Sequence, residues 1–334
     1  MKIEIITLGR SYNFGAFLQA FALQNFLKTY DLNNKIIDFG QNNKEKFIYV
    51  KSKNIKKVFN NLIQLKYFER DTKLLNFCKN KEEKFDFAIV GSDEIWNVHN
   101  NSFIHHDEFF GYHLNSDKII SYAPSCNNII ACELQKYNSN YDFRNFDLLS
   151  VRDLNTQRLV KEITGEKVPI VLDPTFLLDS YDKYIIYPNE KNYIAVYGYE
   201  FTNEQINEIK NYASCHNLKT ISLGLYNSWC DKNVKIGAFE FLGYIKNASF
   251  VFTSTFHGTI FSLILEKQFI TFSNNKQKIK YLLQQFEISE NDFTNKSIDN
   301  WSNKLLDYKK INKIKVKLKQ QSIEYLNGAL NINE

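Results

Sequence analysis

The stretch from Ser249 to Ser273, SFVFTSTFHGTIFSLILEKQFITFS, reads as strand, turn, helix and strand. Ser249 to Thr253 and Gln268 to Ser273 are β-branched and aromatic runs, and the apolar segment between them has helical length. A Ser/Thr/Gly turn holds His257 and Gly258. In a βαβ unit this turn lies at the carboxyl end of the parallel strands, where ligands collect. The helix that follows opens with unpaired N–H groups and the positive end of its dipole, a setting that favours an anion. A histidine there can contact a phosphate or move a proton. It can equally be a histidine packed in an ordinary βα turn.

The same pattern recurs toward the N-terminus. Lys2 to Leu8 reads as a strand, GRSYNFG (9–15) as a turn, Ala16 to Tyr30 as a helix and Lys35 to Phe39 as a strand. Residues 41 to 84 are lysine-rich and irregular, a region of helices and loop. Strands are expected at Phe85 to Val90, Lys118 to Ala123, Asp147 to Val151 and Val168 to Leu172. SYDKYIIYPNEKN (180–192) lacks a period and reads as a linker. Beyond it, strands at 193–197 and 219–223 alternate with helices at 203–214 and 238–247, and a lysine-rich helix spans 302 to 326. Alternating strands and helices predict parallel sheets covered on both faces. The expected class is α/β with two Rossmann-like lobes. The divisions are 1–180, 181–300 and a helical tail at 301–334.

With 334 residues, 44% of them hydrophobic and 15% aromatic, the chain can build two cores. Its formal charge of +5 is too small to imply nucleic acid. Arginine is rare: Arg10, Arg70, Arg144, Arg152 and Arg158 are all of it. An anion site in the second half is therefore expected to use lysine, histidine, hydroxyls or backbone N–H groups. The five cysteines form no C-x-x-C pair, which suits a reducing compartment. MKIEIITLGR reads as a core strand and not as a signal peptide, and no apolar run has membrane-spanning length. A cytoplasmic protein is expected.

Several strand ends carry chemistry. Arg10 and Asn13 lie in the first turn, which matches neither G-x-G-x-x-G nor a Walker loop. They line a cleft or sit in a solvated turn. Ser92 and Asp93 follow a buried strand, where a hydroxyl and a carboxylate suit sugar hydroxyls or a general base. Asp93 can instead cap a helix and Trp96 can be core. Arg152 ends a strand, where its guanidinium can grip a carboxylate or phosphate or pair with a local acid such as Asp153 or Asp173. His105-His106-Asp107-Glu108 is not read as a metal site, because adjacent residues rarely converge on one ion.

Taken in order, these pieces resemble the polysaccharide pyruvyl transferase family. The similarity lies in NFGAFLQAFALQNFL (13–27), FDFAIVGSDEIWN (85–97), KIISYAPS (118–125), LLSVRDLNT (148–156), VLDPTFLL (171–178) and FVFTSTFHGTIFSLIL (250–265). The resemblance implies a GT-B-like arrangement, with the acceptor on the N-terminal lobe and the donor on the C-terminal lobe. It implies phosphoenolpyruvate as donor, no cofactor and no metal. The product is a pyruvate ketal on a sugar of a capsule, exopolysaccharide or cell-wall glycan. His257 and Asp93 are then the catalytic candidates. Arg152, Ser254, Thr255, Gly258 and Lys278 are candidates for the donor, and Arg10, Asn13, Ser92 and Trp96 for the acceptor or cleft. Two positions depart from the family pattern. Thr255 stands where an arginine is frequent before His-Gly, and Lys278 where an arginine is common.

The alternatives are a glycosyltransferase using a nucleotide-sugar, and a non-catalytic sugar- or nucleotide-binding module. The tail YKKINKIKVKLKQ (308–320) also has two readings. It is either a solvated helix that closes the fold, or a peripheral contact with anionic lipid that serves a lipid-linked acceptor.

Overall fold

The computed structural model describes residues 1–40, 43–79, 83–293 and 305–332. The chain forms two compact units. The first comprises Met1–Ile48, Thr72–Asp179 and Lys315–Glu334; the second comprises Tyr49–Asp71 and Ser180–Ile314.

In the first unit, β1 (Lys2–Ile6), β2 (Asn33–Ile37), β3 (Phe77–Cys78), β4 (Phe85–Val90) and β5 (Ser116–Ser121) form one sheet in the order β3-β2-β1-β4-β5. Every pairing is parallel. Parallel strands need crossovers, and α1 (Phe14–Lys28) makes the first. Of its fifteen residues thirteen are buried, which explains why its apolar residues are not confined to one stripe. The core around β4 is unusually aromatic, with Trp96, Phe103, Phe109, Phe110, Tyr141 and Phe143 packed together. Helices α4 (Ala131–Tyr137) and α5 (Leu154–Thr164) complete this part.

The second unit repeats the topology. Strands β6 (Tyr193–Tyr197), β7 (Lys219–Leu223), β8 (Lys232–Val234), β9 (Phe250–Thr253) and β10 (Phe269–Thr271) lie in the order β10-β9-β6-β7-β8, again all parallel. Helices α6 (Asn203–Cys215), α7 (Ala238–Asn247), α8 (Phe256–Ile264) and α9 (Gln277–Gln285) connect them. In both sheets the chain starts at the middle strand, builds outward one way and then the other. The reversal falls between β1 and β4 in the first unit and between β6 and β9 in the second. Open α/β sheets bind ligands at the carboxyl ends of the strands flanking such a reversal.

Two segments leave the linear order of the sequence. Helix α2 (Asn43–Val50) precedes α3 (Ile55–Thr72), and α3 packs in the second unit. Gln64 there exchanges hydrogen bonds with the backbone of Ile236, at 2.6 and 3.0 Å. The C-terminal helix α10 (Tyr308–Ala329) starts in the second unit and ends in the first. Tyr308 donates to the carbonyls of Ser262 and Lys267 in the second unit. In the first, Tyr325 donates to the Ser121 carbonyl (2.9 Å) and Ser322 accepts from the Leu172 N–H (2.9 Å).

The strands expected at 147–151 and 168–172 are not regular strands. They form only isolated bridges, Ile120 with Leu148 and Val151 with Ile170. Pro169 has no N–H to give to a ladder, and Pro174 ends the second run. The short edge strands β3 and β8 escaped the sequence reading, because two or three residues are too few to show a period.

Candidate functional site

At the reversal point of the second sheet, β6 runs into Tyr197-Gly198-Tyr199 and β9 into Ser254-Thr255-Phe256-His257. The two strand ends are laced together. Ser254 Oγ donates to the Tyr199 carbonyl (2.8 Å) and accepts from its N–H (3.1 Å). Thr253 Oγ1 donates to the Tyr197 carbonyl at 2.6 Å. Gly198 is required by this approach, since a Cβ there would lie 2.4 Å from Ser254 Oγ. Gly258 is tighter still, with a Cβ position 2.0 Å from Thr253 Oγ1.

Thr255 is the N-cap of α8. Its Oγ1 accepts from the Gly258 N–H at 2.9 Å. A hydroxyl that satisfies a first-turn donor in this way stabilises the helix. This gives Thr255 a physical role of its own. Thr255→Ala is expected to lower stability by about 1 kcal/mol, measured by denaturant unfolding. A change below a few tenths would remove the cap from the account. His257 is the second residue of α8 and 8% exposed, so it belongs to the turn whose N–H groups favour an anion.

Two lysines approach this segment. Lys276 Nζ donates to the Ser254 carbonyl (3.0 Å) and lies 5.1 Å from the Tyr199 ring centre. Lys278 Nζ lies 5.5 Å from the ring centre of Phe256. Ser254, Thr255, His257, Gly258 and Lys278 are thus brought to one end of one sheet. Lys276 is an addition that the sequence reading missed. Its only signal was its place two residues before Lys278. The second unit also holds an arginine, contrary to the count by sequence halves. Arg70 arrives on α3 and is held by Glu240 and Asp71 at 2.9 to 3.0 Å.

At the reversal point of the first sheet, Thr7 follows β1 and Gly91-Ser92-Asp93 follows β4. Thr7 Oγ1 donates to the Ser92 carbonyl (3.2 Å) and accepts from Gln19 Nε2 (2.9 Å). Asp93 has a left-handed backbone (φ 76°), and its Oδ1 accepts from the Glu94 N–H at 2.8 Å. Arg152 is buried beneath this turn. It donates to Asp173 Oδ2 at 2.7 Å, and its Nη2 is 3.7 Å from Asp93 Oδ1. Burial alone would lower the Arg152 pKa. The charges of Asp173, Asp93 and Asp153 outweigh it and raise the pKa, keeping the guanidinium ionised. Asp173 is thus the partner of Arg152 among the two local acids the sequence offers. Asp173 in turn accepts from the N–H and hydroxyl of Thr175, at 3.1 and 2.8 Å.

Ser92 is wholly buried, with Oγ donating to the Ala123 carbonyl (3.0 Å). Trp96 is wholly buried too, its indole N–H donating to the Phe109 carbonyl (2.6 Å), so the core reading describes it. Arg10 makes a two-pronged pair with Asp38, both contacts 2.7 Å, and lies over the Phe77 ring at 4.3 Å. The hydrogen bond from Arg10 holds the Asp38 carboxyl below its ordinary pKa. Asn13 caps α1, its Oδ1 accepting from the Ala16 N–H at 3.1 Å. Arg10, Ser11, Phe39, Phe77 and His106 line a concave space beyond β1 and β2. His106 stacks on Phe39 (ring centres 4.3 Å apart), and Asp107 accepts from the Tyr141 hydroxyl at 2.5 Å. Among the described residues, no three His, Cys, Asp or Glu side chains gather as a metal site would require.

Comparison with known proteins places this geometry. The chain is similar in fold to a putative UDP-N-acetylglucosamine 2-epimerase from Listeria monocytogenes. That match has a TM-score of 0.53 and 7% identity, and covers 100% of this chain and 97% of the other. It is also similar to S. aureus MnaA solved with UDP, with a TM-score of 0.51 and 11% identity over 99% and 97% of the two chains. At such identities the likeness concerns the fold alone, and it extends over nearly the whole of each chain. No curated protein matches this chain. The sequence model for polysaccharide pyruvyl transferase matches residues 13–276, which include the reversal point of the second sheet, strand β4 at that of the first, and every candidate side chain except Arg10 and Lys278. The chain belongs to the polysaccharide pyruvyl transferase family.

Proposed function

We propose that this transferase moves the pyruvyl group of phosphoenolpyruvate onto two hydroxyls of a sugar in a surface-polysaccharide precursor, forming a ketal and releasing phosphate. The observation that carries the reading is the turn at the start of α8. It combines a capped helix N-terminus, His257, Lys276 and Lys278, and all of it but Lys278 lies inside the stretch that matches the family.

The chemistry balances without an oxidant or a metal. Proton transfer to the methylene carbon of phosphoenolpyruvate makes a methyl group and an oxocarbenium-like centre. A sugar hydroxyl adds there and gives up its proton. The C–O bond to phosphate then breaks, and a second hydroxyl adds to close the ketal. Of the two hydroxyl protons, one is matched by the new methyl C–H and the other by the released hydrogen phosphate. His257 is assigned to proton transfer or phosphate contact. The first turn of α8, with Ser254, Gly258, Lys276 and Lys278, is assigned to the donor's negative charge. Asp93 is assigned to the acceptor side as base, with Arg10 and Asn13 beside the same sheet edge. Arg152, whose guanidinium is engaged with Asp173, is assigned to holding the Asp93 turn.

Phosphoenolpyruvate should raise the melting temperature, because a ligand that binds only the folded state stabilises it by about 2.7 kcal/mol at a hundred times its dissociation constant. Inorganic phosphate should compete with it. A shift with UDP-sugars and none with millimolar phosphoenolpyruvate would overturn the donor assignment in favour of a glycosyltransferase.

A further inference from the structure

Helix α3 buries three amides beside Leu65 and Phe68 and leaves a separate apolar stripe exposed. Asn60, Asn61 and Gln64 are 6%, 3% and 0% exposed, whereas Ile55, Phe59 and Leu62 are 83%, 66% and 47% exposed. The inward side is fastened by hydrogen bonds. Gln64 holds both backbone groups of Ile236, and Asn61 Nδ2 donates to the Tyr49 carbonyl at 2.7 Å. Asp71, at the end of the helix, accepts from the Ala238 N–H at 2.6 Å. The helix is therefore fixed in the second unit without using Ile55, Phe59 or Leu62.

Those three residues fall at i, i+4 and i+7, one continuous stripe along the helix. Exposed apolar residues scattered singly need no explanation, but a stripe of three large ones marks an interaction surface. From Lys51 to Lys66 the chain carries five lysines and no acidic residue. Lys51, Lys53, Lys56, Lys57 and Lys66 are all exposed.

We infer that the Ile55–Phe59–Leu62 stripe docks on the surface of an anionic lipid bilayer. A helix with lysines beside a large apolar face lies in the interfacial plane of such a membrane, apolar side down. The lysines gain from the negative lipid headgroups. A second copy of this chain fits less well. A two-fold contact through the same patch would set one cluster of lysines against another, and lysine is depleted at protein interfaces. The C-terminal helix α10, rich in lysine, is a weaker candidate. Val316 is its one large apolar side chain exposed among the described residues, and Lys310 and Lys319 are engaged with Glu287 and Asp179. The inference is independent of the donor chemistry, and its test uses no turnover.

The test is co-sedimentation of the full chain with vesicles of phosphatidylcholine, alone or mixed with phosphatidylglycerol. The chain should bind the mixed vesicles at low salt and lose them as salt rises. Ile55→Ser/Phe59→Ser/Leu62→Ser should reduce binding to the level seen with phosphatidylcholine alone, with the melting temperature unchanged because the three side chains are exposed. Lys56→Ala/Lys57→Ala should weaken binding about tenfold or more. The inference is overturned by equal binding to both vesicle types, or by full binding of the triple serine variant. Loss of all binding in Lys309→Ala/Lys313→Ala/Lys317→Ala would move the contact to α10. A dimer of the native chain that the triple variant converts to monomer would assign the stripe to a second copy.

Discussion

Asp173→Ala should lower the free energy of unfolding by about 3–5 kcal/mol, the usual cost of removing one partner from a buried ion pair. The magnitude follows from where the charge would be left. Arg152 is 4% exposed, and its Nη1 lies 2.7 Å from Asp173. Removing that carboxylate leaves a guanidinium that cannot deprotonate in a site without bulk water. Asp93 Oδ1 at 3.7 Å offers partial compensation, so the lower end of the range is expected. The same change takes away the acceptor of the Thr175 hydroxyl and N–H. Guanidinium unfolding at neutral pH measures the effect. Replacing both partners, as Arg152→Met/Asp173→Leu, should recover much of the loss, because two apolar groups of similar volume leave no buried charge. A single-variant loss below about 1 kcal/mol would show that the pair does not hold this part of the first unit together.

His257→Ala should reduce turnover by about 10²-fold or more while leaving the fold intact, as for loss of a positioned acid or base. The helix does not depend on the imidazole for its start, because Thr255 caps α8 from outside it. The steady-state pattern separates the two roles assigned to this residue. If His257 moves a proton, kcat falls and KM is little changed; if it only contacts the donor phosphate, KM for phosphoenolpyruvate rises with kcat preserved. Phosphate release with an accepted sugar reads both. Near-normal kcat and KM in a well-folded variant would return His257 to an ordinary buried position in a βα turn.

His257 lies just past a strand at the start of a helix and Asp173 at the start of a 3-10 turn, and both places were legible before the fold was known. Apart from Asp86 and Thr253, the runs from Phe85 to Val90, Tyr193 to Tyr197 and Phe250 to Thr253 are apolar, because parallel strands are buried on both faces. That local composition was enough for the α/β class, the two repeated units and the positions of Asp93 and His257. It also held the motifs that mark the family. The partners were legible only in part: Asp173 was one of two acids offered for Arg152, and neither Lys276 nor Asp38 was foreseen. Asp173 is 21 residues from Arg152, Lys276 is 22 residues from the carbonyl it holds, and Asp38 is 28 residues from Arg10. No period or spacing encodes which of several acids or lysines arrives.

The clearest division falls on residues 49 to 71. Their lysines and scattered apolar residues give an irregular sequence, because the helix they form hides three amides beside Leu65 and Phe68 and exposes Ile55, Phe59 and Leu62. Hydrophobic periodicity tells which face of a helix is apolar, but it assumes that the apolar face is the buried one. Only the tertiary structure shows that Gln64 and Asn61 are held by the backbone of Ile236 and Tyr49, and hence that the buried side is part amide and part apolar while a second apolar stripe stays in solvent. The sequence by itself determined what is set within a few residues: strand, turn, cap and motif. The tertiary structure decided what is set by long-range contact: which charges neutralise each other, which unit a helix joins, and which face it leaves to solvent.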